Sequence, residues 1–157
     1  MSTISPCLWF DTEAEDAARY YTSVFPNSRI LGVQHYGSAG PRDEGMVMVA
    51  DFELDGQRFI ALNGGPDFTF SEAISFEIAC ADQAEVDRYW STLSEGGEEG
   101  PCGWLKDRFG VSWQVVPRRL NELAADPDAE KAQRVIAAML KMGKIDVAEL
   151  ERAAAAS

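Results

Sequence analysis

The sequence predicts an α+β fold: two copies of a β-α-β-β-β module followed by a helical extension. Three observations carry that expectation. Residues recur at one constant offset, Ile4-Ser5 and Ala14-Glu15 returning as Ile74-Ser75 and Ala84-Glu85, with Tyr20 falling opposite Trp90. They sit at corresponding places in a strand and a helix, which favours an internal duplication over coincidence between two ordinary β-α units. The stretch from Trp104 to Pro117 reads as a turn, Asp107 to Gly110, then a β-branched and aromatic strand, Val111 to Val116, that Pro117 ends. Beyond Pro117 the apolar residues follow a helical period. The expected boundaries are 1–66 for the first module, 67–117 for the second and 118–157 for the extension, packed as one compact domain.

Ile4 to Phe10 is a strand candidate in which Pro6, lacking an N–H, marks an edge. Its faces are Ile4, Pro6, Leu8 and Phe10 against Ser5, Cys7 and Trp9. Thr12-x-x-Glu15 matches a capping box, and Ala14, Ala17, Ala18, Tyr21, Val24 and Phe25 form the stripe of the helix it starts. Pro26-Asn27 stops that helix. Ser28 to Tyr36 is strand-like, and Gly37 to Gly45, rich in glycine, reads as a mobile loop. Met46 to Leu54 and Gln57 to Asn63 are strands joined by Asp55-Gly56, a tight hairpin signal. Gly64-Gly65-Pro66 ends the module. The second module restarts with a strand at Ile74 to Cys80 and a helix capped by Asp82, with Glu85 three residues on and a stripe of Val86, Tyr89, Trp90 and Leu93. Glu95 to Gly100 reads as a polar loop, with short strands around Cys102 to Lys106 and at Val111 to Val116. Period two puts Val111, Trp113 and Val115 toward a core and Ser112, Gln114 and Val116 on the other face. In the extension, Leu120 and Leu123 belong to a short helix. Asp128 caps a longer one with Val135, Ile136, Met139 and Leu140 that Gly143 ends, and Asp146 caps the last.

Length and composition bound the function. A chain of 157 residues buries roughly 70% of its unfolded surface and needs no covalent staples. The net charge of −12 repels phosphate backbones and anionic lipid, so neither nucleic acid nor a membrane is an expected partner. Cys7, Cys80 and Cys102 are odd in number and widely spaced, which suggests neither a disulfide framework nor a zinc ribbon. With no signal peptide and no long apolar run, the cytoplasm is the expected location. His35 is the single histidine.

Specific phrases then carry a resemblance. Pro6-Cys7-Leu8-Trp9-Phe10-Asp11 leads to Ala14-Glu15 and Ala18-x-Tyr20-Tyr21, then Ala61-Leu62-Asn63-Gly64-Gly65, Ile74-Ser75-Phe76 and the run from Cys102 to Pro117. The helical tail adds Met139-Leu140-x-Met142-x-Lys144-Ile145-Asp146. Together these resemble the vicinal-oxygen-chelate (glyoxalase/bleomycin-resistance) superfamily, and within it the PhnB-like group often labelled 3-demethylubiquinone-9 3-methyltransferase. The resemblance implies glyoxalase-like sheets curled around a central cavity, commonly in a homodimer. It also implies a divalent metal held by His and Glu on inner strands, acting as a Lewis acid. The positions matching those ligands are Ile4 or Ser5, Ser75 and Gln114, and none is His or Glu. The expectation is therefore a protein without the standard metal centre and with no cofactor; a divalent metal would need an unusual site using Glu77, Asp107 or Asp51.

The expected function is small-molecule binding in that cavity, lined by Cys7, Trp9, Asn63, Ser75, Glu77, Trp104 and Gln114: aromatic walls with a few polar groups. No catalytic residue is assigned. The alternative is a metal-dependent isomerase, lyase or dioxygenase with unusual ligands, or a metal-free enzyme using Glu77 or a thiol. A methyltransferase is disfavoured. Neither strand–helix junction, Asp11-Thr12 or Ala81-Asp82, carries the glycine-rich turn of a nucleotide-like donor site. His35 reads as an ordinary strand residue, and Cys7 and Cys102 as inert thiols.

Overall fold

The alternation of strand and helix follows the repeat. The computed structural model describes residues 3–157 and divides between Phe70 and Ser71 into two units. The first runs β1 (Cys7–Phe10), α1 (Ala14–Val24), β2 (Arg29–His35), β3 (Val47–Leu54) and β4 (Gln57–Asn63). The second repeats the order as β5 (Phe76–Cys80), α2 (Gln83–Ser94), β6 (Glu98–Glu99), β7 (Trp104–Lys106) and β8 (Ser112–Pro117). It ends in α3 (Arg118–Ala124), α4 (Ala129–Met139) and α5 (Val147–Ala155). The sheets have matching orders, β1-β4-β3-β2 and β5-β8-β7-β6. In each, the first strand runs parallel to the last and the other pairs are antiparallel. The fold is α+β, two open four-stranded mixed sheets, and neither closes into a barrel.

Each sheet buries one face under its own helix. In the first unit, Leu8, Phe10, Ala50, Phe52, Leu54, Phe59 and Ala61 are buried together with Ala14, Ala17, Ala18 and Tyr21 of α1. Tyr21 stacks on Phe52 at 6.2 Å and Phe52 on Phe59 at 5.4 Å. Burying one such phenylalanine contributes about 1.5–3 kcal/mol. In the second unit Cys80, Trp113 and Val115 are buried with the α2 stripe Val86, Tyr89, Trp90 and Leu93. Val116, on the opposite face of β8, enters the separate cluster of the extension with Leu120, Leu123, Val135, Ile145, Leu150 and Ala154.

Several local expectations are corrected. The Thr12 capping box does not form. The residue ahead of α1 makes no side-chain cap, and the Ala14 N–H instead donates to Asn63 Oδ1 from β4 at 2.8 Å. The loop from Gly37 to Gly45 is braced by the flanking Tyr36 and by Arg42. Tyr36 is buried and donates its hydroxyl to Asn63 O at 2.7 Å, and Arg42 pairs with Asp11 at 3.0 Å. The polar loop from Glu95 to Gly100 contains the edge strand β6, too short to show an alternating pattern. Helix α4 gives way at Leu140, ahead of Gly143. The hairpin at Asp55-Gly56 forms as its residues require, with φ of 47° and 85°, the doubly left-handed turn that matches strand twist. The second-module and tail caps form as well: Asp82 accepts from Glu85 N, Asp128 from Glu130 N and Lys131 N, and Asp146 from Glu149 N.

Candidate functional site

The β7–β8 ladder of the second unit places the polar candidates in two rows on one face. Trp104 stands opposite Gln114, and Gln114 opposite Glu77 of β5. Glu98 stands opposite Lys106, and Lys106 opposite Ser112. Cross-strand partners share a face, so these side chains project from the side opposite Trp113 and Val115. Ser75 joins the first row, its Oγ accepting from Gln114 Nε2 at 2.9 Å. Four of the candidates read from the sequence, Ser75, Glu77, Trp104 and Gln114, are thus brought together.

The ladder is held in register from its buried side. Asp107 is 2% exposed and accepts from Phe109 N at 2.8 Å, Val111 N at 3.1 Å and Trp113 Nε1 at 2.8 Å. That carboxylate closes the Asp107–Gly110 turn and fixes the indole, so it is occupied by the fold.

A cleft of about 470 Å³ opens beside β7, lined by Glu72, Glu98 to Cys102, Trp104 to Lys106 and Ser112. Lys106 pairs with Glu72, which holds the Glu72 carboxyl below its usual range and Lys106 above its own. Glu99 accepts from Trp90 Nε1 at 3.1 Å. Ser112 is 2% exposed, and its buried Oγ makes no hydrogen bond among the described residues. One wall is the turn at Pro101–Gly103, in which Cys102 takes a left-handed φ of 58°. The extension grips that turn, Cys102 N and Gly103 N donating at 2.8 Å to Met142 O and Gly143 O. Sequence reasoning did not single out the cleft-lining Ser112, Lys106 and Glu98. Ser112 shares the parity of Gln114, which was legible, but its lack of a partner was not. Glu98 lies on the strand that was missed.

The other three candidates belong to the first unit. Cys7 and Trp9 lie on the sheet face away from α1. Trp9 donates its indole N–H to Gly65 O at 2.8 Å and meets the Phe68 ring edge-on at 4.9 Å. A Cβ at Gly64 would come within 2.4 Å of the Trp9 ring, so the Gly64-Gly65 pair is the floor on which the indole lies. Cys7 is exposed. Partial desolvation of its sulfur, and then the Asp51 carboxylate, push its thiol pKa up, the opposite of activation. Asn63 is 2% exposed and faces α1. Its Oδ1 accepts from Ala14 N and its Nδ2 donates to Val47 O at 3.0 Å. Asn63 is therefore placed as a brace for the helix start, with both ends of its amide engaged.

The family model described as 3-demethylubiquinone-9 3-methyltransferase matches residues 2–116. The chain belongs to this family. The PhnB protein from Bacillus cereus is 34% identical, covering 74% of this chain and 99% of its own, with a TM-score of 0.66. A protein from Pseudomonas aeruginosa is 21% identical over 74% of this chain and 98% of its own, TM-score 0.62. A gene product from Arabidopsis thaliana is 18% identical over 74% of this chain and 98% of its own, TM-score 0.51. The last two speak for the fold alone. No curated protein matches the sequence. The family match stops at Val116, so α3–α5 lie beyond it.

In this 3-demethylubiquinone-9 3-methyltransferase family member, the positions at which the resemblance would place metal ligands include Ser75 and Gln114. Ser75 and Gln114 are neutral and hydrogen-bonded to each other, and hard cations favour carboxylate oxygens or imidazole. Among the described residues, no group of three or more His, Cys, Asp or Glu is arranged to hold a metal. Asp51, offered for an unusual site, pairs with Arg58 at 2.8 Å. His35 is exposed at the end of β2. Both helix N-termini that follow a parallel strand are occupied by protein acceptors, Asn63 at α1 and Asp82 at α2. No helix among the described residues is long and apolar enough to cross a membrane.

Proposed function

We propose that this family member binds a small organic molecule at the polar face of its second unit, without the standard divalent metal site. One observation carries the reading: the row Trp104, Gln114 and Glu77, with Ser75 on Gln114, lies on the same sheet face as the cleft residues Lys106 and Ser112. A concave site with an aromatic wall and a few convergent polar groups is the usual form of a small-molecule site. Gln114 fits this use because an amide both donates and accepts. No catalytic step is assigned.

A fragment screen by ligand-observed NMR, repeated on Gln114→Leu and Trp104→Ala, tests the reading. At least one fragment class is expected to bind the native protein and to lose about tenfold or more in affinity in those variants. Fragments that bind all three proteins equally would overturn it. Metal content is the second arm, measured by mass spectrometry after dialysis against zinc, nickel and manganese in turn. Near-stoichiometric retention that Glu77→Gln abolishes would move the protein to metal-dependent chemistry. We also infer a homodimer, in keeping with large apolar side chains left exposed on the first unit, Phe68 at 65% and Leu31 at 43%. Sedimentation as a monomer at micromolar concentration would remove that part.

A further inference from the structure

The cleft beside β7 has a charge pattern that selects among ligands. Among the described residues its lining holds one cationic side chain, Lys106, which is engaged by Glu72. The other charged groups on its wall are Glu98 and Glu99. Glu99 faces the α2 side and accepts from Trp90, while Glu98 shares the face of Lys106 and Ser112 through the β6–β7–β8 ladder. An anionic ligand on that face would meet the Glu98 carboxylate, with Lys106 already engaged by Glu72. Ser112 is the second, independent observation: a hydroxyl 2% exposed, on the cleft wall, with no partner among the described residues. Buried polar groups are costly unless paired, so such a hydroxyl calls for a partner that arrives from outside the chain.

We propose that the cleft takes a compact organic cation, a primary ammonium group on a small aromatic or apolar body. This deepens the small-molecule reading above and rests on it. An ammonium brings three donors and no acceptor. Ser112 Oγ accepts one and the Glu98 carboxylate another, on either side of Lys106 in one cross-strand row, where Glu72 offsets the Lys106 charge. The Trp104 ring attracts the charge through its face and, with Pro101, covers the apolar body.

The test uses three matched probes on the full chain: phenethylamine, phenethyl alcohol and hydrocinnamate, titrated by isothermal calorimetry and ligand-observed NMR. The amine is expected to bind about tenfold more tightly than the alcohol, and the carboxylate more weakly than either. Ser112→Ala and Glu98→Gln are each expected to weaken the amine by about tenfold and the alcohol by less than about threefold. Circular dichroism and the melting temperature report that each variant is folded. Tightest binding by the carboxylate, with Lys106 released from Glu72, would overturn the proposal. So would amine binding that both variants leave unchanged. Equal binding of all three probes that Trp104→Ala abolishes would remove the cationic class while leaving the small-molecule reading in place. Amine binding that Trp104→Ala and Gln114→Leu leave intact would instead count against that broader reading.

Discussion

Asn63 and Ser112 are both small polar side chains, 2% exposed, on the last strand of a module, yet they play opposite parts. Asn63 has every strong group engaged, so Asn63→Ala leaves Ala14 N and Val47 O without partners and is expected to lower stability by about 1–3 kcal/mol, read by urea unfolding. The Ser112 hydroxyl has no partner among the described residues, so Ser112→Ala is expected to leave stability unchanged or raise it by up to about 1–2 kcal/mol. A loss of stability there would mean the hydroxyl already has a partner. Sequence could not separate these two, because a side chain's partners come from other strands. Cys80 makes a third residue-level case. Burial pushes its thiol up to about 11. A folded-state pKa above the unfolded value of 9.0 means the unfolded chain releases its proton first. The contribution of Cys80 to stability is therefore complete below pH 9 and is lost as pH rises toward 11. The thiol is expected to stay unreactive toward a disulfide reagent at pH 8 until the protein unfolds; labelling at the rate of the exposed Cys7 would contradict this.

Helix starts show what an element inherits from local sequence and what it borrows. Asp82, Asp128 and Asp146 cap their own helices, because the acceptor and the free N–H groups lie within three residues of one another. Thr12 followed by Glu15 has the same spacing, but the strand β4 delivers Asn63 to that place first. Asp82→Ala and Asp146→Ala are each expected to cost about 1 kcal/mol in thermal or urea unfolding, while Thr12→Ala is expected to be near neutral. An equal cost at Thr12 would show that the threonine caps after all. The edge strand β6 is the complementary case. Two residues have no period, so only pairing with Leu105 and Lys106 defines it, and with it the position of Glu98.

The extension belongs to the second unit at the level of the whole molecule. Ile145 is fully buried and lies 3.2 Å from where a Cβ at Gly103 would sit, while Gln83 of α2 donates to Ile145 O at 3.0 Å and accepts from Val147 N at 2.7 Å. Ile145→Ala is expected to cost about 2–5 kcal/mol and to loosen the Pro101–Gly103 wall of the cleft. Hydrogen exchange at Cys102 and Gly103, whose amides donate to the extension, should rise with it. Protection unchanged at those amides would show that the turn stands without α4 and α5.

Sequence alone determined the duplicated β-α-β-β-β plan, the α+β class, the family resemblance and the two faces of β8. These follow from periodicity and turn chemistry, which act between near neighbours and leave a regular trace. Ser75, Glu77, Trp104 and Gln114 were legible as a group for the same reason: strand parity and the repeat place them. Only the tertiary structure decided that Asn63 braces a helix, that Trp9 lies on Gly64 and Gly65, and that Lys106 is held by Glu72 while the Ser112 hydroxyl has no partner among the described residues. Those outcomes depend on pairing between segments distant in the chain, where register and burial choose among several chemically equivalent partners.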